Sequence, residues 1–111
     1  MNKYEAMFII KPDLKEDDKT SVLKTIKDQI LKHEGRLLQD QIWAERRKFA
    51  YDLFPLGGQT RFKEGMYYLV NFEIAAPAIT ALKNYFSLNE SILRYLILRV
   101  EERAGIVKKI A

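Results

Sequence analysis

The chain has 111 residues, with 19 Lys+Arg against 15 Asp+Glu, 48% hydrophobic side chains and no cysteine. Such a chain suits one small globular domain whose core stands alone, and it excludes a disulfide framework, a thiolate metal site and a thiol nucleophile. The net charge of +4 favours a polyanionic partner, and with neither a signal-peptide core nor a transmembrane-length apolar run a soluble cytoplasmic protein is expected.

From Tyr4 to Lys11 the side chains alternate, with Tyr4, Ala6, Phe8 and Ile10 on one face, which predicts a strand. Pro12 stops it, Asp13 is placed to cap a helix, and Glu16-Asp17-Asp18 suit the positive end of a helix dipole. Val22, Leu23, Ile26 and Ile30 share one stripe, so the helix is expected over residues 14–33, with Gly35 as its left-handed C-terminal residue. Residues 36–53 read as a long strand. Its apolar phase changes from Leu38, Ile42 and Ala44 to Phe49, Tyr51 and Leu53, which predicts a bulge between Ala44 and Arg47.

Pro55-Leu56-Gly57-Gly58-Gln59-Thr60 is turn chemistry, and a hairpin loop is expected as far as Gly65. A strand over 66–74 follows, with Tyr68, Val70 and Phe72 on one face and Tyr67, Leu69, Asn71 and Glu73 on the other. Pro77 opens a helix that carries Ile79, Leu82 and Phe86 to about residue 87, and Asn89 marks a turn. Ile92 to Val100 is apolar except for Arg94 and Arg99 and has the character of an inner strand. The order strand, helix, strand, strand, helix, strand predicts an α+β, ferredoxin-like split βαβ fold, a four-stranded antiparallel sheet with two helices on one face. Residues 1–100 form the expected domain and 101–111 a C-terminal tail. The open sheet face and the long second strand are left for a partner.

The inventory for catalysis is thin. His33 sits at a helix end, where capping carbonyls accounts for it, and the consecutive acids Glu16-Asp17-Asp18 point around a helix without the alternating spacing of a calcium loop. No nucleophile, phosphate-loop or zinc motif occurs, so no catalytic residue, metal or cofactor is expected. Arg46-Arg47-Lys48 leading into Phe49-Ala50-Tyr51 reads in two ways: as phosphate contacts beside aromatic support, or as solvated guards of an edge strand. Arg94 and Arg99 must face solvent or a ligand, and alternation puts them on opposite faces. An RNA-recognition motif shares the element order, but Lys63-Glu64-Gly65-Met66-Tyr67-Tyr68 matches its aromatic signature poorly. RNA contact would therefore rest on phosphate and shape.

Lys3-Tyr4-Glu5, Lys11-Pro12-Asp13-Leu14, Arg46-Arg47-Lys48-Phe49-Ala50-Tyr51, and Gly65 entering a strand that ends in Asn71-Phe72-Glu73 together resemble the bacterial small-subunit ribosomal protein S6 family. The resemblance spans residues 1–99. It implies a noncatalytic constituent of the small ribosomal subunit that binds the central domain of small-subunit ribosomal RNA, paired with ribosomal protein S18 through its second strand. It further implies ribosomal RNA contacts at Lys3, Arg46, Arg47, Lys48, Arg94 and Arg99, partner contacts at Trp43, Phe49 and Tyr51, a cytoplasmic ribosomal location, and neither membrane nor small-molecule substrate. The sequence departs from the family pattern at Phe49, where Leu is usual, and at Asp52-Leu53, where Pro-Ile is frequent. Two other classes fit the same fold: a small ligand-binding or enzymatic dimer, which needs a pocket of convergent polar groups, and a protein-only adaptor, which predicts no salt-sensitive RNA binding.

Overall fold

Alternation builds the first strand. β1 (Asn2–Ile10) buries Tyr4, Ala6, Phe8 and Ile10 and leaves the residues between them partly exposed. The computed structural model describes residues 2–12, 14–53, 62–100, 102–103 and 106–107, the side chains of 50–53, 102–103 and 106–107 excepted. The expected cap at Asp13 and residues 54–61 of the expected hairpin loop therefore lie outside the described residues. α1 (Glu16–Lys32) starts later than its pattern suggests, after Lys15, which makes no side-chain cap; its acidic first turn complements the dipole instead.

The end of α1 corrects the expectation for Gly35. The left-handed residue is Glu34, at φ 64°, while the Glu34 N–H bonds Leu31 O at 3.0 Å and the Gly35 N–H bonds Ile30 O at 2.9 Å. This is a Schellman motif with Glu34 in the usual glycine position. Gly35 is needed for closeness: a Cβ there would lie 2.7 Å from Ile30 Cγ2 and 2.8 Å from Ile30 O.

β2 (Arg36–Leu53) pairs antiparallel with β3 (Phe62–Ile74), which begins at Phe62 and not at Met66. Gly65 signals a turn in sequence, yet here it lies inside a strand. The register of β2 on β3 slips between Ile42 and Ala44 and again between Ala44 and Arg47, where a bulge is expected, and also between Leu37 and Gln39 and between Lys48 and Leu53. α2 (Ala78–Leu88) follows Pro77, and a turn in which Asn89 Oδ1 accepts the Ser91 N–H at 2.9 Å leads into β4 (Ile92–Val100).

The sheet order is β2-β3-β1-β4, every neighbouring pair antiparallel, which is the ferredoxin-like split βαβ arrangement. Both helices lie on one face. Val22, Ile26 and Ile30 of α1 and Leu82 and Phe86 of α2 join Phe8, Tyr68, Val70 and Phe72 in a single core, with Phe86 edge-on to Phe8 at 4.8 Å. Each of these large side chains contributes roughly 1.5–3 kcal/mol by burial. β4 is an edge strand, which corrects its reading as an inner one: its apolar run covers a sheet face rather than lying between two layers. After Val100, β5 (Glu102–Arg103) pairs antiparallel with β6 (Ile106–Val107).

Polar ties hold the bulged edge strand to β3 and α1. The Tyr68 hydroxyl donates to Asp40 Oδ2 at 2.7 Å, Lys27 Nζ lies 3.3 Å from the same carboxylate, and Lys19 Nζ reaches Glu45 at 2.9 Å. Burial, reinforced by Asp40, pushes the Tyr68 hydroxyl well above the usual tyrosine range, and the Tyr68 hydrogen bond holds the Asp40 carboxyl below the usual carboxylate range.

Candidate nucleic-acid and partner interface

The face opposite the helices has an apolar centre. Met7 and Ile9 of β1 lie opposite Leu69 and Tyr67 of β3 and opposite Leu96 and Arg94 of β4, and cross-strand partners share a face. Leu96 is 57% exposed and Leu98 37%, a large apolar expenditure toward solvent for a protein of this size.

At one corner of this face the bulge in β2 gathers an aromatic group. Trp43, 53% exposed, meets Tyr67 edge-on at 5.9 Å, and the Arg47 guanidinium lies 5.3 Å from the Trp43 ring and 5.8 Å from the Tyr67 ring. Phe49 completes the cluster, 6.3 Å from Tyr67. Arg47 pairs in register with Gly65, and a Cβ on Gly65 would lie 2.9 Å from Phe49 Cζ, so the ring lies over bare backbone. This explains a glycine in mid-strand.

The three consecutive cations do not act as one patch. Arg47 belongs to the open face, whereas Arg46 forms an ion pair with Glu64 and reaches Pro12 O at 3.5 Å. Lys48 is exposed and lies opposite Glu64 in the ladder. Arg94, half-buried on the open face opposite Ile9, donates to Leu93 O at 2.7 Å. Arg99 is exposed on the helix-bearing face opposite Tyr4 and donates to Asn2 Oδ1 at 3.3 Å, so the expectation of opposite faces for the two arginines holds. Lys3 lies opposite Glu73, the partner of Arg36, at the same end of the sheet as Arg99.

The candidate RNA residues thus divide between two ends of the sheet. Arg46, Arg47, Lys48 and Arg94 gather at the end where β1 finishes; Lys3 and Arg99 stand at the end where it starts, about 20 Å away along the strands. Trp43, Phe49 and Arg47 do come together, and the side chain of Tyr51 lies outside the described residues. Two contributors were not singled out from sequence. Tyr67 holds the aromatic corner together, and its odd-numbered phase already put it on the open face; Glu64, adjacent to Gly65, takes Arg46, which no local pattern signals.

Between α2 and β4 runs a groove of about 360 Å³ lined by Phe86, Ile92, Leu93 and Ile97, with Lys83 and Arg94 beside it. Its Ser87 and Tyr95 hydroxyls bond each other at 3.0 Å, and Tyr95 also reaches Lys83 O at 3.2 Å. Among the described residues no three His, Asp or Glu side chains converge on a common point, and no helix is long and apolar enough to cross a membrane.

A family model described as Ribosomal protein S6 matches residues 3–99. The small ribosomal subunit protein bS6 of Clostridium acetobutylicum is 33% identical over 102 residues, covering 92% of this chain and 100% of that protein. Its counterpart in Thermoanaerobacter pseudethanolicus is 30% identical with the same coverage. The crystal structure of 30S ribosomal protein S6 from Thermotoga maritima superposes with a TM-score of 0.77 at 26% identity, covering 88% of this chain and 86% of that one.

Proposed function

Because the chain belongs to the ribosomal protein S6 family, a family of small-subunit ribosomal proteins and not of enzymes, we propose that it works on the ribosome in the cytoplasm by holding RNA and a protein at once. The RNA is the central domain of small-subunit ribosomal RNA and the protein is ribosomal protein S18. Residues 1–100 act as the binding domain and 101–111 as an extension of it.

The observation that carries this reading is the division of the open face. Met7, Leu69 and Leu96 form an apolar row across it, with Leu98 beside Glu5, and suit a protein partner, and the corner of Trp43, Tyr67 and Arg47 has the residue types that dominate protein interfaces. Cations stand at the two ends of the sheet, Lys3 and Arg94 on this face and Arg99 on the helix-bearing one, where they neutralise phosphates. Arg47 borders both surfaces, so it orients the protein partner and stays close to RNA. Lys3, Arg46, Arg47, Lys48, Arg94 and Arg99 are assigned to ribosomal RNA, and Trp43, Phe49 and Tyr51 to the partner.

Gradient sedimentation of a gentle lysate at rising salt tests it. The chain should travel with the small subunit at low salt and leave it as salt rises, by a log–log slope of about 0.9 per phosphate contact for a duplex and less for single strands. A chain that remains at the top of the gradient in low salt refutes the proposal.

A further inference from the structure

We infer that Glu64 competes with phosphate for Arg46, so that an ion pair within the chain sets the RNA affinity of this corner. The inference rests on the proposed RNA contact of Arg46. Glu64 lies on β3 next to Gly65, directly opposite Lys48, and its carboxylate meets Arg46 Nη1 while Arg46 Nη2 extends toward Pro12 O at 3.5 Å.

The burial of the pair is uneven: the Glu64 side chain is 27% exposed and that of Arg46 51%. The carboxylate is therefore seated against the sheet and the guanidinium lies over it toward solvent. A phosphate arriving from outside meets the guanidinium first, with the carboxylate fixed behind it. Carboxylate and phosphate use the same forked donors of an arginine, so both anions call on one set of N–H groups. A pair this exposed adds little to folding and is easily exchanged. Glu64 nevertheless remains close to the incoming phosphate and repels it, and the Arg46 charge it neutralises releases fewer counterions when RNA binds. The second acid on this strand, Glu73, is engaged by Arg36 at the far end of the sheet and leaves Arg46 untouched.

The test uses small subunits assembled with the native chain, Glu64→Gln, Arg46→Ala or the double variant, with release of the chain followed as KCl is raised and melting curves recorded to confirm folding. Glu64→Gln should bind about two- to fivefold more tightly at low salt, with a release slope steeper by up to about one unit, and the gain should shrink as salt screens the carboxylate. Arg46→Ala should leave at lower salt, and in its background Glu64→Gln should lose most of its gain. If Arg46→Ala leaves the subunit like the native chain, the RNA contact of Arg46 fails, whatever Glu64 does. If Arg46→Ala weakens binding but Glu64→Gln also weakens it or leaves it unchanged, the carboxylate only positions the arginine and competition is overturned. Full retention of the gain in the double variant overturns it too, because Glu64 would then act on RNA without Arg46.

Discussion

Gly65→Ala tests whether the aromatic corner is built on bare backbone. The added methyl would lie 2.9 Å from Phe49 Cζ, 3.0 Å from Ile9 Cγ2 and 3.0 Å from Ile10 O, against an ordinary carbon contact of about 3.5–4.0 Å. Ile10 O belongs to the β1–β3 ladder and cannot retreat without loosening it, so the ring must yield, and it is held at 6.3 Å from Tyr67. Overpacking of this kind costs about 1–3 kcal/mol, and the smaller entropy of an alanine in the unfolded chain returns roughly 0.4–1 kcal/mol. The net loss of about 1–2 kcal/mol lowers Tm by roughly 4–10 °C in a domain near 100 residues. Calorimetry measures the loss, and a double-mutant cycle with Phe49→Ala identifies its cause: with the ring gone, Gly65→Ala should cost less than half as much. An unchanged or higher Tm for Gly65→Ala alone refutes the reasoning, as does an equal cost with and without the ring.

Glu34 holds a left-handed conformation that costs a side chain about 1–2 kcal/mol, so Glu34→Gly, after the loss of unfolded-state restriction, should stabilise by about 0.5 kcal/mol in urea denaturation. The Asp40 carboxyl is held low in the folded chain, chiefly by the Tyr68 hydroxyl, so its contribution is present above the unfolded value near 3.9 and lost as pH falls through the folded one. Asp40→Asn should flatten the acid limb of a plot of urea midpoint against pH. Tyr68 is raised by burial first and Asp40 second, so its contribution is full below about pH 10 and declines above it; Tyr68→Phe should flatten the alkaline limb. Arg47→Ala should weaken capture of the protein partner in a pull-down at fixed salt, while Arg99→Ala, on the opposite face, leaves it unchanged.

Periodicity made most of this fold readable because core burial follows it: Tyr4, Ala6, Phe8 and Ile10, and Met66, Tyr68, Val70 and Phe72, all point to one core. The errors fall where a residue type has two physical uses. Gly35 and Gly65 look in sequence like conformational signals, a left-handed cap and a loop end, whereas both serve close approach, to Ile30 and to Phe49. The apolar run of β4 reads as an inner strand because sequence records hydrophobicity but not which layer receives it, and Leu96 and Leu98 face the open side. Arg46-Arg47-Lys48 was legible as a basic run. Its division between faces depends on the β2 register and on Glu64, whose place opposite Lys48 follows from the hairpin's pairing and not from a local pattern.

The placement of charge on the sheet is what the proposed pair of ligands would require. A protein partner gains most from a water-free apolar centre, and RNA gains most from cations that stay accessible at a rim. Were the cations at the centre, burying them under a protein would carry a desolvation penalty larger than the attraction returned. With Lys3 and Arg99 at one end and Arg46 and Lys48 at the other, a partner resting on Met7, Leu69 and Leu96 would leave these cations near water or phosphate, while Arg94, next to Leu96 on the same face, would lie at its border. Arg47 stands between the two regimes, its guanidinium laid on Trp43 and Tyr67.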